Sequence, residues 1–130
     1  MVGLAWTPGS WAGQEAIGQL VPVFDRNAGP RMPRFGPGGP GPSAESVVAK
    51  EGYAVGGLVV AAEQYVHGVR PIFVKLRPDG TLDPADRYEG EWLGDPAGRT
   101  PQMIDGKGAK VIGIHGRGAA VLDAIGLVFQ

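Results

Sequence analysis

Few side chains in this sequence are of the types that carry covalent or metal chemistry. The sequence contains no cysteine, which excludes disulfides, thiol nucleophiles and cysteine-ligated metals. Its three serines, Ser10, Ser43 and Ser46, lie outside the G-x-S-x-G pattern of hydrolases. The two histidines, His67 and His115, lack the spacing of a zinc site. We therefore predict a protein that is not an enzyme and that uses no metal and no cofactor.

The acidic and histidine side chains each have a plain structural interpretation. One acidic run departs from the order of a calcium-binding loop and is predicted to be the solvated flank of a hairpin; its members are Asp79, Asp83, Asp86, Glu89 and Glu91. We predict that His67 is a polar surface residue in a turn; the alternative is a degenerate second binding loop. His115, among apolar residues, is predicted to be packed or to lie on a strand face.

The composition favours a folded β domain. Glycine and proline make up 35 of the 130 residues (23 and 12), a share that is typical of low-complexity chains. However, 43% of the residues are hydrophobic and the net charge is only −1, which disfavours disorder and gives no electrostatic footprint for nucleic acid. The longest apolar run, residues 53–62, is too short to cross a bilayer. No basic residue precedes Arg26, so no signal peptide is predicted. The sequence does not indicate a cellular compartment.

The chain contains three related segments, residues 2–24, 55–73 and 112–129. Each opens with a β-branched residue and a glycine, which aligns Gly3, Gly56 and Gly113. Each closes on an aromatic residue, and counting back from it aligns the second strands. Period-two alternation of apolar residues predicts that each segment is an antiparallel hairpin. A helix over residues 116–126 is the competing interpretation. Pro22 and Pro71 stand two residues before their aromatic residues. Because proline donates no ladder hydrogen bond, they predict a bulge or an edge position.

The two connectors, 25–54 and 74–111, each have room for a second hairpin. We predict its strands at 32–35 and 46–49 in the first connector, and at 88–93 and 101–104 in the second. Residues 78–80, Pro-Asp-Gly, predict a tight turn. The chain is thus expected to be a single domain, 1–130, with repeats at approximately 2–54, 55–110 and 111–130, the third incomplete.

The segment IGIHGRGAAVLDAIGLVF, residues 112–129, resembles the C-terminal signature of jacalin-related lectins, and the segment YEGEWLG at 88–94 stands where that family often has Y-G-P-F-G. The residues that match the C-terminal signature are Gly113, Gly116, Arg117, Leu122, Asp123, Ala124, Ile125 and Gly126. The resemblance implies an all-β fold, the β-prism, in which three antiparallel Greek-key sheets surround a pseudo-threefold axis. The sequence begins after the glycine-rich segment with which family members start, so an N-terminal strand is expected to be missing.

The resemblance also implies a function. Jacalin-related lectins bind mannose, glucose or galactose without metal. Asp123 would be the carboxylate that accepts hydrogen bonds from two sugar hydroxyls, and Ala120 and Val121 would present backbone amides, with Ala119 in the same loop. The alternative role of Asp123 is to order its own loop. Trp11, in the loop 10–15, is a candidate for accessory recognition.

Two departures from the family pattern favour a second function. The family's binding loop reads G-x-x-x-D, but Ala119 stands where that glycine would be and Gly118 precedes it. The glycine-rich wall of the pocket is also absent from the sequence. The alternative is a β-prism module for protein interaction or assembly that has lost sugar binding. Its partner would be a homo-oligomer or a larger parent protein.

Overall fold

The computed structural model describes residues 1–27, 45–118 and 121–130, with Trp11 described by its backbone alone. These residues form ten strands: β1 (Gly3–Trp11), β2 (Gln14–Val23), β3 (Glu45–Val48), β4 (Tyr53–Ala62), β5 (Val66–Leu76), β6 (Leu82–Glu89), β7 (Leu93–Gly94), β8 (Pro101–Asp105), β9 (Val111–Gly118) and β10 (Leu122–Phe129). Within these ranges there is no helix, and hence none long and apolar enough to cross a membrane. The prediction of an all-β chain is confirmed, and strands replace the helix considered for residues 116–126.

Each predicted repeat segment is an antiparallel hairpin: β1 pairs with β2, β4 with β5, and β9 with β10. The first hairpin closes through a two-residue turn at Ala12 and Gly13, both with positive φ (52° and 78°). Positive φ at both positions matches the turn to the twist of the flanking strands. The turn is shorter than the predicted loop 10–15, because Ser10 and Trp11 belong to β1.

Each hairpin belongs to its own sheet. The first sheet has the order β2-β1-β3 and the third sheet is the β9–β10 hairpin alone. The second sheet has the order β6-β5-β4-β8, with β7 also on β5. In this sheet β4, β5 and β6 are consecutive and β8 returns beside β4, which is a Greek key. In the first sheet, β3 pairs with β1 as β8 pairs with β4.

One hydrophobic core joins the three sheets. Its buried members come from all three hairpins and from β7: Leu4, Ile17, Leu58, Val60, Val66, Val69, Leu93, Val111 and Leu127. The closing aromatic residues do not share a role: Phe73 is buried, whereas Phe24 and Phe129 are exposed. The alternating apolar residues of the strands therefore form the core mainly through aliphatic side chains, which pack between the sheets.

The pairing register shows that the second strands of the three hairpins are equivalent. Each second strand carries one extra residue at the same place, and the extra residues are Gly18, His67 and Asp123. Each lies six residues before the closing aromatic residue, so the predicted alignment of the second strands is confirmed.

The alignment of the first strands is corrected by one residue in the second copy. Pairing with the second strands, at Val23, Ile72 and Val128, aligns Gly3 with Gly57 and Gly113. Gly56, which the sequence pattern had aligned with Gly3, is instead an extra residue between the paired Val55 and Gly57. A bulge shifts a strand by one position, and that shift is invisible in the sequence.

The connectors agree with prediction only in part. β3 and β8 confirm the strands expected at 46–49 and 101–104 within one residue, while the strand expected at 32–35 lies outside the described residues. The tight turn at 78–80 is confirmed by a hydrogen bond of 2.9 Å from the Gly80 N–H to the Arg77 carbonyl. The strand predicted at 88–93 is wrong, because β6 ends at Glu89 and β7 begins at Leu93.

Both repeated prolines lie at an edge or an irregularity of the sheets. Pro22 is on β2, which pairs only with β1 among the described residues. Pro71 is on β5, opposite the break between Glu89 and Leu93. The expected edge position or irregularity is therefore observed at both prolines, although β5 itself is a central strand.

Candidate functional site

The tips of the three hairpins meet at one end of the molecule. Ala16 of β2, Tyr65 of the β4–β5 turn and Val121 of the β9–β10 turn form a buried apolar cluster. A Cβ added at Gly9 would lie 3.1 Å from a methyl carbon of Val121, so β1 also packs closely against this turn. We call this region the tip end. Ala16, Tyr65 and Val121 hold one another in place at this end by packing.

His67 connects the first two hairpins at the tip end. Its side chain is only 2% exposed, and its Nδ1 lies 2.9 Å from the Glu15 carbonyl oxygen. Because a carbonyl oxygen only accepts hydrogen bonds, Nδ1 must carry the proton. The imidazole also packs against the Tyr65 ring at a centroid distance of 4.5 Å. The prediction of a surface residue is thus wrong. His67 is the extra residue of a bulge, and its buried side chain contacts the first hairpin.

A polar triad lies beside this contact. The Tyr65 hydroxyl donates to Oε1 of Gln14 at 3.0 Å, and the Arg99 guanidinium donates to the same oxygen at 3.3 Å. A second guanidinium nitrogen of Arg99 donates to the Ala97 carbonyl. The loop between β7 and β8 is therefore tied to the first two hairpin tips. Sequence reasoning missed Gln14 and Arg99, because they are 85 residues apart in the chain.

Asp123 is the extra residue of the third hairpin. Leu122 pairs with Gly118 and Ala124 pairs with Arg117, which leaves Asp123 unpaired between them. Its side chain is exposed, in contrast to the buried His67 at the equivalent place. β-Bulges often re-aim a side chain beside a functional site. Of the three equivalent residues, Asp123 alone presents a charged group to solvent.

The other predicted binding residues have different outcomes. Ala119 and Ala120 lie outside the described residues. The Val121 side chain is buried in the tip-end cluster, so only its backbone is left to face a ligand. Trp11 ends β1 and pairs with Gln14 at the tip end; its side chain lies outside the description. The structure therefore brings Val121, Trp11 and Asp123 to hairpin tips.

A groove lies on the second sheet, away from the tip end. The Arg87 guanidinium of β6 is 3.1 Å from an Asp105 oxygen of β8, although β5 and β4 lie between those strands in the sheet. The sheet is therefore curled. Its groove, of about 470 Å³, is lined by Arg70, Ile72, Arg87, Tyr88, Glu89 and Met103. The Arg70–Glu89 ion pair, at 2.9 Å, balances charge inside the groove.

The acidic run does not form a common site. Asp79 accepts hydrogen bonds from Thr81, Asp86 from the Tyr53 hydroxyl, and Glu89 pairs with Arg70. In the described ranges, no three histidine, aspartate or glutamate side chains are placed to hold a metal ion.

His115 is exposed on the outer face of the third sheet. A Cβ added at Gly126, its cross-strand partner, would overlap the His115 ring, so the imidazole lies over this glycine. The prediction of a strand-face histidine is confirmed.

The chain matches no family model, no curated protein and no solved structure.

Proposed function

We propose that the protein is a non-enzymatic carbohydrate-binding module with the β-prism arrangement of jacalin-related lectins. Its ligand is a mono- or oligosaccharide of the mannose/glucose or galactose type, bound without metal or cofactor at the tip end. Three hairpins with equivalent bulges and three antiparallel sheets around one core support the β-prism. One of these sheets has complete Greek-key order.

The observation that carries the proposed function is the exposed carboxylate at the third bulge. The equivalent positions in the other copies are used for packing: a Cβ at Gly18 would lie 2.9 Å from the Pro8 carbonyl oxygen, and His67 bonds to Glu15. Asp123 forms no such contact with the described residues and faces solvent. A carboxylate there accepts hydrogen bonds from two adjacent sugar hydroxyls, and charge-assisted bonds of this type are stronger than neutral ones.

The tip end also supplies a rigid frame for this carboxylate. Val121, two residues before Asp123, is anchored against Ala16 and Tyr65. This packing holds the backbone beside Asp123 in place before a sugar arrives, which lowers the entropy lost on binding. Arg117 on β9 pairs with Ala124 beside the bulge and is exposed, so a cationic donor stands near the same hydroxyl-binding surface.

The test is an NMR titration of the ¹⁵N-labelled protein with methyl mannoside and, separately, methyl galactoside. We expect saturable shifts of the amides of Val121 and Asp123 with one of the sugars. Asp123→Asn should weaken binding at least tenfold, because an amide offers one acceptor oxygen in place of two. Glu63→Gln, at the exposed tip of the second hairpin, is the matched control and should bind like the parent protein.

Two results would contradict the proposed function. One is the absence of saturable shifts at the third hairpin with either sugar. The other is equal affinity of the Asp123→Asn variant and the parent protein, with both folded by their spectra.

A further inference from the structure

The third sheet contains a strand position that no described residue fills. In the first sheet, β3 pairs with residues 3–6 of β1, and in the second sheet, β8 pairs with residues 57–61 of β4. The register of the three hairpins places residues 113–117 of β9 at the equivalent edge. Among the described residues β9 pairs only with β10, so no described strand lies along its outer edge.

A glycine marks the same position in all three sheets. A Cβ added at Gly57 would lie 2.7 Å from the Ile104 carbonyl oxygen of β8, and one at Gly3 would overlap the Val47 carbonyl oxygen of β3. In both sheets the glycine is what allows the outer strand to approach. At the equivalent Gly113, an added Cβ meets no described atom within 4 Å. The glycine suited to an outer strand is present in β9, although no described strand lies beside it.

The two filled sheets define what such a strand must carry. Val47 of β3 lies opposite Leu4, and Ile104 of β8 lies opposite Leu58. Both aliphatic residues are β-branched and pack against the main core. The residue of β9 that corresponds to Leu4 and Leu58 is Ile114, which also packs against this core. An incoming strand should therefore place valine or isoleucine opposite Ile114.

β9 itself meets this requirement. When two copies of β9 run antiparallel with Ile114 opposite Ile114, each supplies the β-branched residue that the other needs. We propose that the outer edge of β9 pairs in this register with β9 of a second copy of this chain. The contact is two-fold symmetric, so both copies use the same surface and the assembly closes as a dimer.

The rest of the register is compatible with the proposed pairing. On both sides of the Ile114 pair, Gly113 of one copy lies opposite His115 of the other, so no charged residue faces a like charge there. Ile112, which is 45% exposed, is the extra residue of a bulge in β9 and ends this regular stretch on each side. Pairing also removes an open strand edge, which is a common site of uncontrolled association.

The first test is analytical ultracentrifugation over a wide concentration range. The parent chain should pass from monomer to dimer. Gly113→Val should remain monomeric at every concentration, because its side chain occupies the place of the incoming carbonyl oxygen. The variant monomer should unfold like the parent monomer, since the added side chain meets no described atom. Val128→Thr, which reduces exposed apolar surface on β10 instead, should dimerise like the parent.

The register has its own test, because the chain contains no cysteine. Opposed residues of an antiparallel pair have Cα atoms about 4.5–5.5 Å apart, which suits a disulfide. Ile114→Cys should therefore form a disulfide-linked dimer with oxidised glutathione, whereas His115→Cys, which faces Gly113 of the other copy, should not.

Three results would overturn the proposal. The parent chain could stay monomeric at all concentrations. It would also count against the proposal if this monomer bound a synthetic peptide of residues 100–106, which contains β8, in place of a second copy. The Gly113→Val variant could dimerise as strongly as the parent. Finally, cross-linking at position 115 without cross-linking at 114 would show a different register.

Discussion

The Nε of Arg70 donates a hydrogen bond of 2.7 Å to the carbonyl oxygen of Gly90, in the place of a backbone donor that Pro71 lacks. The Gly90 N–H donates to the Pro71 carbonyl at 2.8 Å. In a regular antiparallel pair, the N–H of residue 71 would return a bond to the Gly90 carbonyl. The guanidinium replaces that bond, forms an ion pair with Glu89, and its carbon lies 5.9 Å from the centre of the Trp92 ring.

Arg70→Met should destabilise the protein by about 1.5 kcal/mol, because it removes a charge-assisted hydrogen bond to the backbone. Urea denaturation measures this loss. The control is Arg87→Met, which breaks a partly exposed ion pair with Asp105 and should cost less than about 1 kcal/mol. In a Pro71→Val background, the valine N–H can bond to Gly90, so Arg70→Met should cost less there. Equal costs in both backgrounds would disprove the replacement of the backbone donor.

His67→Leu should reduce the free energy of unfolding by about 2–3 kcal/mol, because the Glu15 carbonyl then loses its partner in a buried place. His67→Asn should recover a substantial part of this loss, since its side-chain amide can donate from nearly the same position as Nδ1. Thermal and urea unfolding of the three proteins provide the measurement. If the asparagine variant is no more stable than the leucine variant, the hydrogen bond is not what stabilises the contact.

Asp105 should make the stability depend on acid pH. The Lys107 backbone N–H and the Arg87 guanidinium lower the pKa of Asp105, so its folded pKa lies below the unfolded value of about 3.9. The stabilisation is complete above the unfolded pKa and is lost as the pH falls through the folded pKa. Asp105→Asn should be less stable than the parent near neutral pH and should show a weaker decline in acid.

Urea titrations at a series of pH values between about 2 and 7 test this difference. Arg87→Met keeps the Lys107 N–H and should show an intermediate dependence. If the free energy of unfolding falls equally steeply with decreasing pH in the parent and in Asp105→Asn, this carboxylate contributes no pH-dependent stability.

Alanine should lower the free energy of unfolding at Gly57 but hardly change it at Gly113, although the two positions are equivalent. Gly57→Ala forces a Cβ against the Ile104 carbonyl and should cost about 1–3 kcal/mol, as overpacking does. Gly113→Ala should change the unfolding free energy of the monomer by less than about 0.5 kcal/mol. Differential scanning calorimetry at low protein concentration makes the comparison. A large loss at Gly113 would mean that its surroundings are already filled.

The three hairpins were predictable because their cause is local. Alternating apolar residues bury one face of each strand, and the repeated spacing to Phe24, Phe73 and Phe129 reveals equivalent second strands. The all-β class and the turn at 78–80 follow from the same local information. The tip-end residues Gln14 and Arg99 could not be predicted, because their contact joins distant parts of the chain and depends on how the sheets are placed.

The sequence by itself determined the three hairpins, the strands that pair within each of them, and the presence of one aspartate at the third repeat position. Tertiary structure decided what each of these residues does. At the equivalent bulges, His67 is buried because the Glu15 carbonyl of the neighbouring hairpin lies beside it, whereas Asp123 lies on an exposed surface. Pro71 gives a second example. The sequence shows that proline removes one backbone donor from β5. The replacement donor, Arg70, lies beside Gly90 only after β5 and β6 have paired.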